Sequence, residues 1–256
     1  MTPETLILAV ETSSRTGSVA LALGEKLLAE TSFSGPTRHS AEVLPAIQQL
    51  MQRFGRKPHE IGQVHISIGP GSFTGLRIAT TLAKTIHLAN GAKIIPVDTL
   101  DVIAANVIDT SMLDARCSMP DEYPVSSIQY RVAAILDAKR NQFFVAVYEY
   151  TSAAIWKKAV PDSLMTAAQF VEEFARSDKP IWLLGDGLLY YKDRFSAEGI
   201  RFLDEKYWSP RARNVHLLGW QKALAGQFAD PLTLQPAYLR KPDVTRKKDS
   251  NSKCKM

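Results

Sequence analysis

Leu6-Ile-Leu-Ala-Val-Glu-Thr-Ser-Ser-Arg-Thr-Gly-Ser-Val-Ala20 and Val132-Ala-Ala-Ile-Leu-Asp-Ala-Lys-Arg-Asn-Gln-Phe-Phe-Val-Ala146 follow one plan. In each, an apolar run ends at an acidic residue, Glu11 or Asp137, and a polar turn follows. A Val-Ala pair then comes eight and nine residues after the acid, Val19-Ala20 in one and Val145-Ala146 in the other. Short apolar runs separated by turn residues read as paired strands. The recurrence predicts a duplicated unit whose copies form two lobes.

Around the first copy, Ser18–Leu23 and Leu27–Phe33 read as further strands. Val43, Leu44, Ile47, Leu50, Met51 and Phe54 recur at three- and four-residue spacing, which predicts a helix over 40–54 with Pro45 near its start. Strand 64–68, helix 73–89, strand 94–97 and helix 99–108 follow. Around the second copy come strand 143–150, helix 166–176, strand 181–184, the turn Gly185-Asp186-Gly187 and helix 213–225. Strands alternating with helices give an α/β fold, its sheets flanked by helices. The expected division is a first lobe over 1–108, a linker or insertion over 109–130, a second lobe over 131–239 and a tail over 240–256.

Of 256 residues, 45% are hydrophobic and 22% charged, a globular composition. No apolar run approaches the roughly 18 residues that span a bilayer. The opening segment has no basic region before its apolar stretch, so a cytoplasmic location is expected and no membrane partner. Cys117 and Cys254 are isolated, with neither disulfide nor zinc spacing. Residues 240–256 carry seven Lys/Arg and two Asp/Glu, a charge of 7 − 2 = +5, while the rest of the chain has 24 of each sign. This basic tail reads either as a solvated end or as a contact for RNA phosphates.

Ser67-Ile-Gly-Pro-Gly-Ser-Phe-Thr-Gly-Leu-Arg77 is the strongest local signal. Gly69 and Gly71 permit backbone conformations closed to other residues. Free amides at the helix start, with Ser72, Thr74 and Arg77, would suit an anion. The alternative is a tight strand-to-helix connection without a ligand; the segment lacks the Gly-Lys-Ser/Thr end of a P-loop. Gly75, Ala79 and Ala83 fall on one face of the same helix, beside Leu76, Leu82 and Ile86. That strip reads as close packing in its own domain or as a helix interface with another subunit. Glu11 and Asp137, each at a strand end, read as a carboxylate pair facing across a cleft or as two turn caps. His39 has Val43 at the position where a helical metal pair needs a second histidine. The other histidines show no ligand spacing, so no catalytic residue and no metal ligand is assigned.

The blocks ILAVETSSRTGSVAL, HSAEVLPAI, SIGPGSFTGLRIATTLAKTI, LDAKRNQFFVAVYE, LLGDG and QPAYLRKP, in this order, resemble the TsaB (YeaZ) family over nearly the whole chain. The resemblance implies a two-lobed actin/hexokinase-like fold, a duplicated RNase H-like unit with mixed sheets. It implies a non-catalytic partner of TsaD, the subunit that transfers threonylcarbamoyl to the tRNA adenosine next to the anticodon, with the TsaE-type ATPase joining the assembly. TsaD carries a His-x-x-x-His metal pair where this chain reads His39-x-x-x-Val43.

The family's partner interface, carried over, falls on the two helices of the first lobe: Val43, Leu44, Ile47, Gly75, Leu76, Ala79, Ala83 and Ile86. In isolation this surface is expected to support a homodimer, and tRNA is reached through the complex. No tightly bound cofactor is expected; a nucleotide (ATP or ADP) at the interface, in contact with Gly69, Gly71, Ser72, Thr74, Arg77 and Glu11, is left open. The family has Asp where this chain has Glu11, and neither the 109–130 insertion nor the basic tail is typical of it. The competing readings are a nucleotide enzyme of the same superfamily, an ATPase or small-molecule kinase using Glu11 and Asp137, and a metallopeptidase using His39.

Overall fold

β1 (Leu6–Glu11) is apolar up to Val10 and buried along its whole length, as a strand covered on both faces must be. It pairs antiparallel with β2 (Thr16–Leu23), which pairs antiparallel with β3 (Lys26–Ser34). On its other side β1 runs parallel to β4 (Ile61–Gly69), and β4 runs parallel to β5 (Lys93–Asp98). The first sheet therefore has the order β3-β2-β1-β4-β5. Three helices belong to this half: α1 (His39–Arg53), α2 (Phe73–Asn90) and α3 (Thr99–Ile108). The structure is a computed structural model and describes residues 4–34, 39–108, 130–150, 156–175 and 179–240. The expected insertion up to residue 129, the tail beyond Arg240, both cysteines and the His39 side chain lie outside the described residues.

The second half repeats the order. β6 (Tyr130–Asp137), β7 (Gln142–Tyr150) and β8 (Trp156–Thr166) form an antiparallel meander, and β9 (Ile181–Leu184) and β10 (Ile200–Phe202) add in parallel beyond β6. The sheet order β8-β7-β6-β9-β10 matches the first sheet strand for strand, so the duplication is real. α4 (Ala167–Phe174) starts in a capping box between Thr166 and Gln169, and α5 (Ala212–Leu224) closes the half.

The equal spacing seen in the sequence slips in register. Glu11 pairs with Ser18 across six residues (12–17), whereas Asp137 pairs with Phe143 across five (138–142). Val19 thus corresponds in pairing to Phe144, not to Val145. Tyr130, assigned to the insertion, opens β6.

Helices cross the division between the halves. α1 and α2 cover the outer face of the first sheet, where Val43, Leu50, Ala79 and Ala83 join Leu8, Val10 and Ile66 in one core. α3, although in the first half, completes the second core with Leu100, Ile103, Ala104 and Val107. α5, from the second half, lies on the first sheet: Ala212, Val215 and Ala223 pack with Ala9, Ala20, Ile95 and Val97, joined by Val102 of α3. The expected boundaries at 108 and 131 therefore divide the sheets but not the helices. Among the described residues no helix is long and apolar enough to cross a membrane.

Candidate functional site

A cleft of about 620 Å³ opens between the lobes. Its walls are the β1–β2 turn (Ser13, Ser14, Arg15), the loop entering α2 (Pro70 to Phe73), the β6–β7 turn (Asp137 to Lys139), Asp186 and the segment 237–240. That segment is a strap. Ala237 N donates to Ile68 O at 2.8 Å on the first lobe, and Arg240 Nη1 donates to Ala138 O at 2.8 Å on the second. Between them the Tyr238 ring lies 5.0 Å from the Phe73 ring.

Glu11 is sealed beneath the cleft floor. Its Oε1 accepts from Ser13 N and Ser13 Oγ, both at 2.5 Å, and its Oε2 accepts from Ser67 Oγ. Burial pushes this carboxyl above its ordinary range, against the pull of those hydrogen bonds. Asp137 accepts from Lys139 N and Lys139 Nζ, each at 2.7 Å. Each acid therefore receives the backbone amide two residues on and caps its own turn. The reading of Glu11 and Asp137 as a pair facing across the cleft is corrected, because Glu11 has no access to it. With that, the expected contact of Glu11 with an anion is also lost.

The carboxylate that joins Asp137 in the cleft is Asp186. It is half-buried and accepts from Arg15 N at 3.4 Å. Burial raises its pKa to about 6, with a smaller push from Asp137, while Arg15 opposes the shift. The sequence offers Gly185-Asp186-Gly187 as a turn and, within LLGDG, as a block of the family resemblance, but does not single out Asp186 as a site residue. The signal was the match of this triplet, directly after β9, to Gly69-Pro70-Gly71 at the end of β4. Gly69 and Gly185 share the same unusual backbone, with φ of 127° and 123°.

The glycine-bearing loop serves packing first. A Cβ at Gly69 would sit 2.5 Å from Ala237 O, and one at Gly71 2.5 Å from Ser13 O, so the strap and the β1–β2 turn approach where only glycine fits. Ser72 N donates to Ser13 O at 2.7 Å, and Ser72 Oγ caps α2 by accepting from Gly75 N at 3.3 Å. Two of the amides expected to be free are thus engaged within the protein. Gly71 and Ser72 line the cleft, and Gly69 lies behind it. Thr74 and Arg77 are exposed on α2, where the guanidinium stacks 3.7 Å from the Phe73 ring centre and Arg77 Nε donates to Tyr238 OH at 3.3 Å.

The small-residue strip faces inward. Gly75, Leu76, Ala79 and Ala83 are buried against their own lobe, and a Cβ at Gly75 would run into the Thr12 carbonyl. The expected use of these four as partner contacts is corrected: they hold α2 on its sheet. Val43 is buried as well, in the same core. Of the residues assigned to that interface, Leu44 is exposed at 59%, and Ile47 and Ile86 are half-buried. No group of three or more His, Cys, Asp or Glu that could hold a metal occurs among the described residues.

The family model for TsaD, tRNA N6-adenosine threonylcarbamoyltransferase, matches residues 27–180. The chain is 28% identical over 245 residues to the tRNA threonylcarbamoyladenosine biosynthesis protein TsaB of Bacillus subtilis (strain 168), covering 94% of this chain and 96% of that protein. The chain belongs to the TsaD family, within its TsaB (YeaZ) branch. TsaB of Escherichia coli (strain K12) is 24% identical over 91% of this chain and 94% of its own. YeaZ from Pseudomonas aeruginosa superposes with a TM-score of 0.71 at 21% identity, over 92% of this chain and 100% of that one. The two mixed sheets and their flanking helices are thus the TsaB/YeaZ fold. Val43, four residues after His39, is an apolar side chain inside the core.

Proposed function

We propose that the chain is a non-catalytic subunit for tRNA threonylcarbamoyladenosine formation, which binds a TsaD-type subunit and supports its activity. The observation that carries this reading is the outer layer of the first lobe. Among the described residues no further layer lies over α1 and α2, and Leu44 and Leu88 are exposed on them. Leu88, at 83%, went unassigned in the sequence because it follows the helix period of no other apolar residue. Exposed leucines on a layer that already covers its own sheet suit a protein partner. The interface is accordingly proposed on Leu44, Ile47 and Leu88, since Ile86 lies half a turn from Leu88 and packs on the core of its own lobe.

In the absence of its partner the same face supports a homodimer. A TsaE-type ATPase, a nucleotide at the interface and tRNA reached through the complex complete the proposed assembly. The test is light scattering on a size-exclusion column, for the chain alone and mixed with the TsaD-type subunit of its own organism. A heterodimer peak that Leu44→Asp removes supports the reading, and no complex with or without ATP overturns it. A second reading, a nucleotide enzyme, rests on Asp186, whose raised pKa beside Asp137 resembles a tuned catalytic acid. ATP turnover by the purified chain that is lost in Asp186→Asn would favour it.

A further inference from the structure

The lobes are joined differently behind the cleft and at its mouth. Behind it, α3 and α5, each packed on the sheet of the other half, meet through buried amides. Asn214 Nδ2 donates to Asn106 Oδ1 at 2.7 Å and to Val102 O at 3.1 Å. Asn106 Nδ2 donates in turn to Tyr207 O and Ser209 O, both at 2.8 Å. Separating such groups would leave buried donors and acceptors unpaired, so this contact resists opening. At the mouth the lobes meet through side chains nearer to solvent: Arg15 reaches Tyr190, and Arg240 of the strap reaches Ala138 O.

The strap is anchored unequally. Leu234, three residues before it, is buried in the core of the first lobe. Ala237 N donates to Ile68 O, and the Ala237 carbonyl sits where Gly69 has no Cβ. Tyr238 lies against the Phe73 ring and accepts from Arg77 Nε at 3.3 Å. On the second lobe the hold is a side chain, Arg240, on the carbonyl that opens the β6–β7 turn. That turn keeps the carbonyl in place, since Ala138 N donates to Gln142 O at 3.0 Å. A long side chain near solvent regains rotamer freedom and water contacts on release, whereas a packed backbone segment does not. The strap therefore stays with the first lobe, and Arg240 is its point of release.

We propose that the strap is a latch: the lobes turn about the α3–α5 contact, and Arg240 on Ala138 O holds the cleft in its closed arrangement. Tyr238 and Leu239 line the same cleft as Asp137 and Asp186, so the latch also shares the walls that a ligand would touch. A few contacts at the mouth of a cleft, acting on a hinge behind it, suffice to gate it. The latch rests on the fold alone and stands whether or not the chain binds a TsaD-type subunit.

The experiment measures the separation of the lobes by single-molecule energy transfer in the full chain. Gln52→Cys on α1 and Glu173→Cys on α4, both exposed, carry the two dyes, with Cys117 and Cys254 replaced by serine. Single-molecule dilution keeps each chain apart from other copies. Arg240→Ala is expected to raise the ratio of open to closed molecules by about threefold or more, the worth of one such hydrogen bond. Adding Arg15→Ala should raise it further, and Tyr238→Ala, which loosens the strap from α2, should act in the same direction. A single cooperative urea transition in each variant shows that the lobes have moved and not unfolded. An unchanged distribution in Arg240→Ala, both with and without Arg15→Ala, overturns the proposal. A response to Tyr238→Ala alone overturns the role given to Arg240.

Discussion

The Arg15 guanidinium lies 4.3 Å from the centre of the Tyr190 ring, and its Nη1 donates to the Tyr190 hydroxyl at 2.8 Å. A residue of the first lobe's hairpin turn thereby clasps the second lobe at the mouth of the cleft. Near solvent a cation over an aromatic ring contributes about 0.5–1 kcal/mol. A double-mutant cycle on Arg15→Ala and Tyr190→Ala should return a coupling of that size in urea unfolding. Additive effects would mean that the clasp contributes nothing to holding the lobes.

Asp186 titrates at about 6 in the folded chain, against an ordinary 3.8. Between these values the folded state holds a proton that the unfolded state has released. Stability contributed by this group is therefore present at acid pH and lost as pH rises through that window. Asp186→Asn should raise the stability at pH 7 by on the order of 1–3 kcal/mol, with little effect below pH 4. A variant less stable at pH 7 would show that the charged form is favoured in the cleft.

His65 behaves in the opposite sense. It is buried between β4 and α5, stacked 5.8 Å from His216, and burial together with His216 lowers its pKa to about 3. Between pH 3 and its ordinary 6.5 the unfolded chain binds the proton and the folded chain does not. Stability is complete above pH 6.5 and falls as pH is lowered, by up to about 1.4 kcal/mol per pH unit. His65→Gln should flatten this slope in urea midpoints taken between pH 4 and 6.5. An unchanged slope would assign the acid sensitivity elsewhere.

The inward turn of the α2 strip separates two substitutions that the sequence alone would group together. Ala79→Arg drives a charge into a fully buried position and should cost about 4 kcal/mol or more. Leu44→Asp, on the exposed face, should stay within about 0.5 kcal/mol of the parent in the same urea titration. A well-folded Ala79→Arg chain would contradict the packing of α2.

Most of the sheet was legible because its central strands are continuous apolar runs, and the repeat of Glu11 and Asp137 marked the duplication. β8 escaped because it is an edge strand: Lys157, Lys158, Pro161 and Asp162 break the apolar pattern that an inner strand keeps. Three-residue β10 is too short to show a period. For α2, residue size at four-residue spacing identified a close-packing face but not its occupant. Sheet and partner make the same demand on Gly75 and Ala79, and only the tertiary arrangement distinguishes them. Asp186 was hidden for a different reason, since its burial comes from the approach of the β1–β2 turn, 171 residues away.

The exchange of α3 and α5 between the lobes bears on how the chain is made. Synthesis runs from the N-terminus, and early segments ordinarily fold as they emerge. Here one face of the first sheet waits for α5, which ends at Leu224. The nascent first half carries an uncovered apolar surface through most of translation, and α3 has no second sheet to join until β6 and β7 exist. A nascent chain from which β5 and α3 have emerged, but not yet α5, therefore displays half of a core, a natural target for a chaperone that holds apolar chains.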